Sequence, residues 1–194
     1  LRSATTLRAL QALASGGCYL RLSFARLDSN LAGTLEQLQG ALEVARSGTF
    51  TYSSGADYTQ VLGGGTRHSP NDPATTPEMN MFDMDGKAVF RQAVRLLPAF
   101  LDCFFQEVGW RREEIDCLVP HQASRHGLDL LTARLGFRPE QVYSNLPERG
   151  NCIAASIPLA LAEAVAGGRI RRGDDVLLLG TGAGLTIGAI ALTF

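Results

Sequence analysis

Leu118-Val119-Pro120-His121-Gln122-Ala123-Ser124 opens the stretch that decides how this chain is read, and Arg149-Gly150-Asn151-Cys152-Ile153-Ala154-Ala155-Ser156 closes it. The apolar run over 115–119 has strand length and stops at Pro120, which cannot donate to a sheet ladder. His121 therefore lies just past the carboxyl end of a predicted strand. Helical spacing follows at once through Leu128, Leu131 and Leu135, with Gly136 as the stop. Ligands of open α/β sheets bind where strands end and helices begin. His121 stands at such a place.

Asn151 stands at a second. Gly150 gives the backbone freedom just before it, and an Ala-rich run with Ile157, Leu159, Leu161 and Val165 follows. A helix apolar on nearly every side is a buried helix. Its amino end directs spare N–H groups and partial positive charge toward the neighbourhood of Asn151. A neutral imidazole and a carboxamide can both donate to one developing oxyanion. Bland readings stand beside this one. A histidine after a strand also serves as a satisfied structural residue, and a loop asparagine also completes a turn through its own backbone.

The segments Val119-Pro120-His121-Gln122-Ala123 and Gly150-Asn151-Cys152-Ile153-Ala154-Ala155-Ser156-Ile157-Pro158-Leu159-Ala160 resemble the histidine and asparagine motifs of β-ketoacyl-acyl-carrier-protein synthase III. Gly180-Thr181-Gly182-Ala183-Gly184-Leu185-Thr186 resembles that family's closing glycine-rich turn, and Met84-Asp85-Gly86-Lys87-Ala88-Val89-Phe90 the entry to its long helix. The resemblance implies a layered α/β fold of the thiolase type, with residues 84–194 as its C-terminal half. Residues 1–47 would be a remnant of the N-terminal half, and 48–83 a connecting segment that borders the acyl pocket. The family's fold is a duplication, so a homodimer, or a partner chain supplying the missing half, is expected to cover the face left open.

The chemistry implied is acyl transfer to a cysteine, then decarboxylative condensation with malonyl-acyl carrier protein. Acyl-CoA would be the donor, no cofactor would be needed, and the pathway would be fatty acid or polyketide biosynthesis. His121 and Asn151 would be the catalytic donors, and the backbone N–H of Ala183 would serve the oxyanion of the acyl-transfer step. Arg125 would contact the carrier protein or coenzyme A, with Arg111, Arg112, Arg138, Arg169, Arg171 and Arg172 as further cations. The nucleophile has three candidates: a cysteine upstream of Leu1, Ser3, and Cys18. Two other readings remain, acyl transfer to a hydroxyl or amine without decarboxylation and a non-catalytic subunit of such an enzyme.

Composition limits the alternatives. With 194 residues, 45% hydrophobic and 19% charged, the chain can bury a sizeable core. A net charge of −1 argues against nucleic acid as partner. No eighteen-residue apolar run predicts a membrane span, and the start lacks a signal-peptide pattern. Four cysteines without a C-x-x-C pair read as reduced thiols of a cytoplasmic protein, and no metal site is predicted.

The remaining elements follow from periodicity. Helices are predicted over 1–17 and 31–46, and strands over 19–27 and 49–52. A long surface connection should follow, with Met79, Met81, Phe82 and Met84 as candidate pocket lining. A helix over 86–109 should bury Val89, Ala93, Leu97, Phe100, Phe104 and Val108 and kink at Pro98. A short strand is predicted over 141–145, and two more flank the turn at 180–184.

Overall fold

A computed structural model describes residues 43–194. The predicted elements within 1–42, and the candidate nucleophiles Ser3 and Cys18, lie outside the described residues. Among the described residues there are six strands: β1 (Glu43–Gly55), β2 (Thr59–Gln60), β3 (Asp83–Met84), β4 (Cys117–Pro120), β5 (Asp175–Gly182) and β6 (Gly184–Thr193). The helices are α1 (Gly86–Val108), α2 (Arg125–Arg134), the single turn α3 (Leu146–Arg149) and α4 (Ser156–Ala166). The main sheet has the order β1-β6-β5-β4, antiparallel except for the parallel pair β4/β5.

Alternate residues of β4, β5 and β6 bury opposite faces, as the two-residue period requires. Leu118, Leu177, Leu179, Ile187 and Ala189 join the core formed with α1, while Cys117, Val119, Val176 and Leu192 join the core formed with α4. A sheet covered on both sides explains why the strand sequences are nearly continuous apolar runs.

Helix α1 is set by local chemistry. Asp85 Oδ1 accepts from the Ala88 N–H at 2.8 Å as the N-cap, and Gly109, at φ 77°, closes the helix by donating to Phe105 O at 2.9 Å. Ala93, Leu97, Phe100 and Phe104 are buried, with Val89 and Val108 packed against them. The helix continues through Pro98.

Two predicted elements change. Residues 43–46, placed in a helix by leucine spacing, are the start of β1, which pairs with β6 from Glu43↔Thr193 onward. The strand expected over 49–52 is the middle of this longer one. Over 141–145 no strand forms beyond a single bridge between Val142 and Leu118. The Tyr143 N–H donates to Leu118 O at 2.9 Å, and the Gln122 side chain then takes the carbonyls of Pro120 and Tyr143 where a ladder would have continued. The buried Gln141 donates to Arg112 O at 2.9 Å and Ile115 O at 2.6 Å ahead of β4. The connection after β1 is closed at its base by the short β2/β3 ladder. Met81, Phe82 and Met84 are exposed there.

Candidate active site

His121 leaves β4 at its carboxyl end, yet its backbone is still tied to the sheet, because its N–H donates to Leu179 O of β5 at 2.8 Å. The imidazole is part-buried, and that burial pushes its pKa below the ordinary histidine value. Neutral imidazole offers one N–H donor and one acceptor nitrogen. Directly behind it Gln122 is fully buried. Its Nε2 donates to Pro120 O at 2.8 Å and to Tyr143 O at 3.3 Å, and its Oε1 accepts from Ser144 Oγ at 2.8 Å. The histidine thus projects from a loop whose next residue is pinned on three sides.

Asn151 follows α3, which ends at Gly150 with φ 67° and ψ −165°, a conformation open to glycine. Asn151 Oδ1 accepts from the Ile153 N–H at 2.9 Å, so the side chain does complete a turn. That bond also orients the carboxamide. With Oδ1 held against its own backbone, Nδ2, which can only donate, is the end turned away. Ile153 adopts φ 53°, which β-branched residues avoid, and is 77% exposed. Ser156, 2% exposed, then opens α4 with a hydroxyl that has no partner among the described residues.

Two consecutive residues of β5 connect these junctions. Leu179 holds the His121 backbone, and Gly180 packs against Ile157 in the first turn of α4. A β carbon on Gly180 would lie 3.0 Å from Ile157 Cδ1, so the helix head seats closely on the strand only because no side chain intervenes. The His121 loop and the helix that follows Asn151 therefore rise from the same end of the sheet. The same strand runs on into the tip at Ala183, which is exposed and whose carbonyl accepts from Thr186 Oγ1 at 3.4 Å. Thr186 Oγ1 also meets Thr51 Oγ1 at 3.0 Å, tying the tip to β1.

The predicted cations fare differently. Arg125 opens α2, is exposed, and pairs with Asp129 at 3.0 Å one turn along. Arg111 pairs with Glu114, Arg112 with Asp102, Arg169 donates to the carbonyls of Asp116 and Glu140, and Arg172 lies over the Phe194 ring. These last four serve local structure. Sequence reasoning missed Lys87 and Arg91, which lie one turn apart on α1. With Phe90, Ser124 and His126 they line a depression of about 360 Å³ beside the His121 loop. A second depression, of about 470 Å³, lies at the other end of α1 around Phe105, Trp110 and Arg112. Neither is lined by His121 or Asn151. Also missed was Glu163, whose carboxylate accepts from Asn145 and Arg149 just before Asn151.

Comparison with known proteins bears on the fold. Residues 105–194 match the family described as 3-oxoacyl-[acyl-carrier-protein] synthase III C terminal. The chain is 42% identical over 120 residues to β-ketoacyl-[acyl-carrier-protein] synthase III of Brucella anthropi, covering 62% of this chain and 37% of that protein. The crystal structure of 3-oxoacyl-(acyl carrier protein) synthase III from Pseudomonas aeruginosa PAO1 superposes with a TM-score of 0.66 at 36% identity, over 78% of this chain and 44% of that one. The Thermus thermophilus synthase III gives 0.66 at 38% identity, over 78% and 46%. This chain thus spans less than half the length of each of these relatives. Residues 105–194 thus resemble the C-terminal part of 3-oxoacyl-[acyl-carrier-protein] synthase III, and the described residues share the layered α/β fold of the thiolase type with these synthases.

Proposed function

We propose that this chain carries the condensing half-site of a β-ketoacyl-acyl-carrier-protein synthase III-type enzyme, an acyltransferase of fatty acid or polyketide biosynthesis in the cytoplasm. The observation that carries the reading is the pair of contacts on β5, Leu179 to His121 and Gly180 to Ile157, which raises the histidine loop and the asparagine-bearing helix head from one sheet end. In this reading His121 and Asn151 Nδ2 donate to the thioester carbonyl oxygen of malonyl-acyl carrier protein. The bond to the carboxylate breaks, its electron pair moves into the enolate, and carbon dioxide leaves. The enolate carbon then attacks the acyl thioester held on the nucleophile, which departs as the free thiolate.

A neutral imidazole fits this role, since it keeps one ring N–H to donate to the developing oxyanion. Ala183 would offer its N–H to the oxyanion of the acyl-transfer step, with acyl-CoA as donor. Lys87 and Arg91, together with Arg125, would draw the acidic carrier protein toward the depression beside α2. A second copy, or a partner chain, would supply the remaining half.

The test is release of carbon dioxide from malonyl-acyl carrier protein, with and without a short acyl-CoA. Release that is lost in His121→Ala supports the proposal. Acyl transfer without release would replace it with transfer to a hydroxyl or amine, and inertness in every combination would replace it with a non-catalytic role.

A further inference from the structure

We infer that Glu163 is a positioning residue for Asn151, acting through Arg149 and Asn145; the catalytic part of this inference rests on the reading of Asn151 just given. Glu163 belongs to α4, yet its carboxylate is spent on the segment before Asn151. Oε2 accepts from Asn145 Nδ2 at 2.7 Å, and Oε1 accepts from Arg149 Nε at 2.7 Å and Nη2 at 2.6 Å. These two partners bracket α3. Asn145, 5% exposed, also accepts at its backbone carbonyl from the N–H groups of Glu148 at 3.2 Å and Arg149 at 2.9 Å.

Four residues cannot hold a helix by themselves, so α3 needs an outside anchor. A single carboxylate provides it at both ends. Asn151 lies two residues past Arg149, across a glycine in the left-handed region. Gly150 itself is bonded only within the turn, its N–H donating to Leu146 O at 2.9 Å, so the anchor sets the direction of the whole turn that delivers Asn151. The pair differs from an ordinary surface ion pair: the Glu163 side chain is only 23% exposed and both of its oxygens are engaged.

The same strip of chain reaches the histidine. Tyr143 O and Ser144 Oγ bond Gln122, the neighbour of His121, and the next residue, Asn145, bonds Glu163. Residues 143–145 thus form a strut between the two donor-bearing segments. Gln122 braces one end and Glu163 the other.

The experiment compares the full chain with Glu163→Ala and Glu163→Gln by hydrogen exchange of the 146–153 amides, alongside acyl loading and carbon dioxide release. In Glu163→Ala these amides exchange about tenfold faster or more, the scale set by losing charge-assisted hydrogen bonds. The amides of β5 and β6 do not change. Glu163→Gln keeps an acceptor for Asn145 but turns a donor toward Arg149, and falls between. The kcat of carbon dioxide release drops by about tenfold or more, while KM and acyl loading stay within about twofold. Unchanged exchange over 146–153, or equal acceleration in β5 and β6, overturns the inference. If the unsubstituted chain releases no carbon dioxide, the functional reading falls, and the exchange data still decide whether Glu163 holds the Asn151 segment.

Discussion

Replacing Gln122 with leucine keeps roughly its volume and removes every polar atom from a site with no exposure. Three partners lose their bonds. Pro120 is buried, so its carbonyl, at 2.8 Å in the native protein, is left without a donor, which costs about 1–3 kcal/mol. Tyr143 is part-buried and its bond is longer, at 3.3 Å, so its loss adds about 0.5–1.5 kcal/mol. Ser144 is exposed, and its hydroxyl turns to water at little cost. The sum is about 1.5–4.5 kcal/mol, or a fall in Tm of about 3–18 °C for a chain of this size. Urea unfolding followed through Trp110, the single tryptophan, which packs against the α1 core, reads this directly. Gln122→Glu should cost more, because a carboxylate would face two carbonyl oxygens in a buried site. A Gln122→Leu variant within about 0.5 kcal/mol of the parent would refute the idea that this amide braces the His121 loop.

Other consequences follow from individual contacts. A β carbon on Gly55 would fall 2.2 Å from Gln92 Oε1, within a buried contact between β1 and α1. Gly55→Ala should therefore destabilise by about 1–3 kcal/mol, and a Gln92→Ala background should remove most of that cost; equal costs in both backgrounds would contradict the clash. Below about pH 6.5 the unfolded chain takes up a proton that the buried His121 still refuses. Its contribution is fully present above that pH and is lost as pH falls through the window, so His121→Gln should flatten this part of the stability profile, and an unaltered slope would count against burial as the cause. Cys117 is fully buried, and burial pushes its thiol up to about 11, so it should resist iodoacetamide at pH 8 until the chain unfolds. Exposed Cys103 should react in the native state; native alkylation of Cys117 would show that the α4 side of the sheet opens.

Legibility in the sequence varied with the range of the interactions involved. Helix α1 could be read because its cap, its glycine stop and its apolar face are all local signals. The end of β4 could be read because proline marks it, and the position of His121 followed. For residues 43–46 leucine spacing upstream suggests a helix, while the partner that makes them a strand, β6, lies about 145–150 positions away in the chain. Residues 141–145 were misread for the opposite reason. Their pattern suits a strand, but pairing stops at the Val142–Leu118 bridge, and the side chain of Gln122 takes the Pro120 and Tyr143 carbonyls beyond it. The anchoring roles of Gln122 and Glu163 depend on partners across the fold, and no periodicity announces them. Lys87 and Arg91 did carry a signal, two cations one helical turn apart, that attention to the later arginines passed over.

The central claim is that the imidazole of His121 and the amide of Asn151 donate to one oxygen. Carbon dioxide release from malonyl-acyl carrier protein by His121→Ala, Asn151→Ala and the double variant tests it most directly. Each single change should slow release by about 10²–10³-fold, and the double variant should lose clearly less than the product of the two, as groups acting on one charge do. Losses that multiply independently, or a single variant with undiminished release, would contradict the shared site.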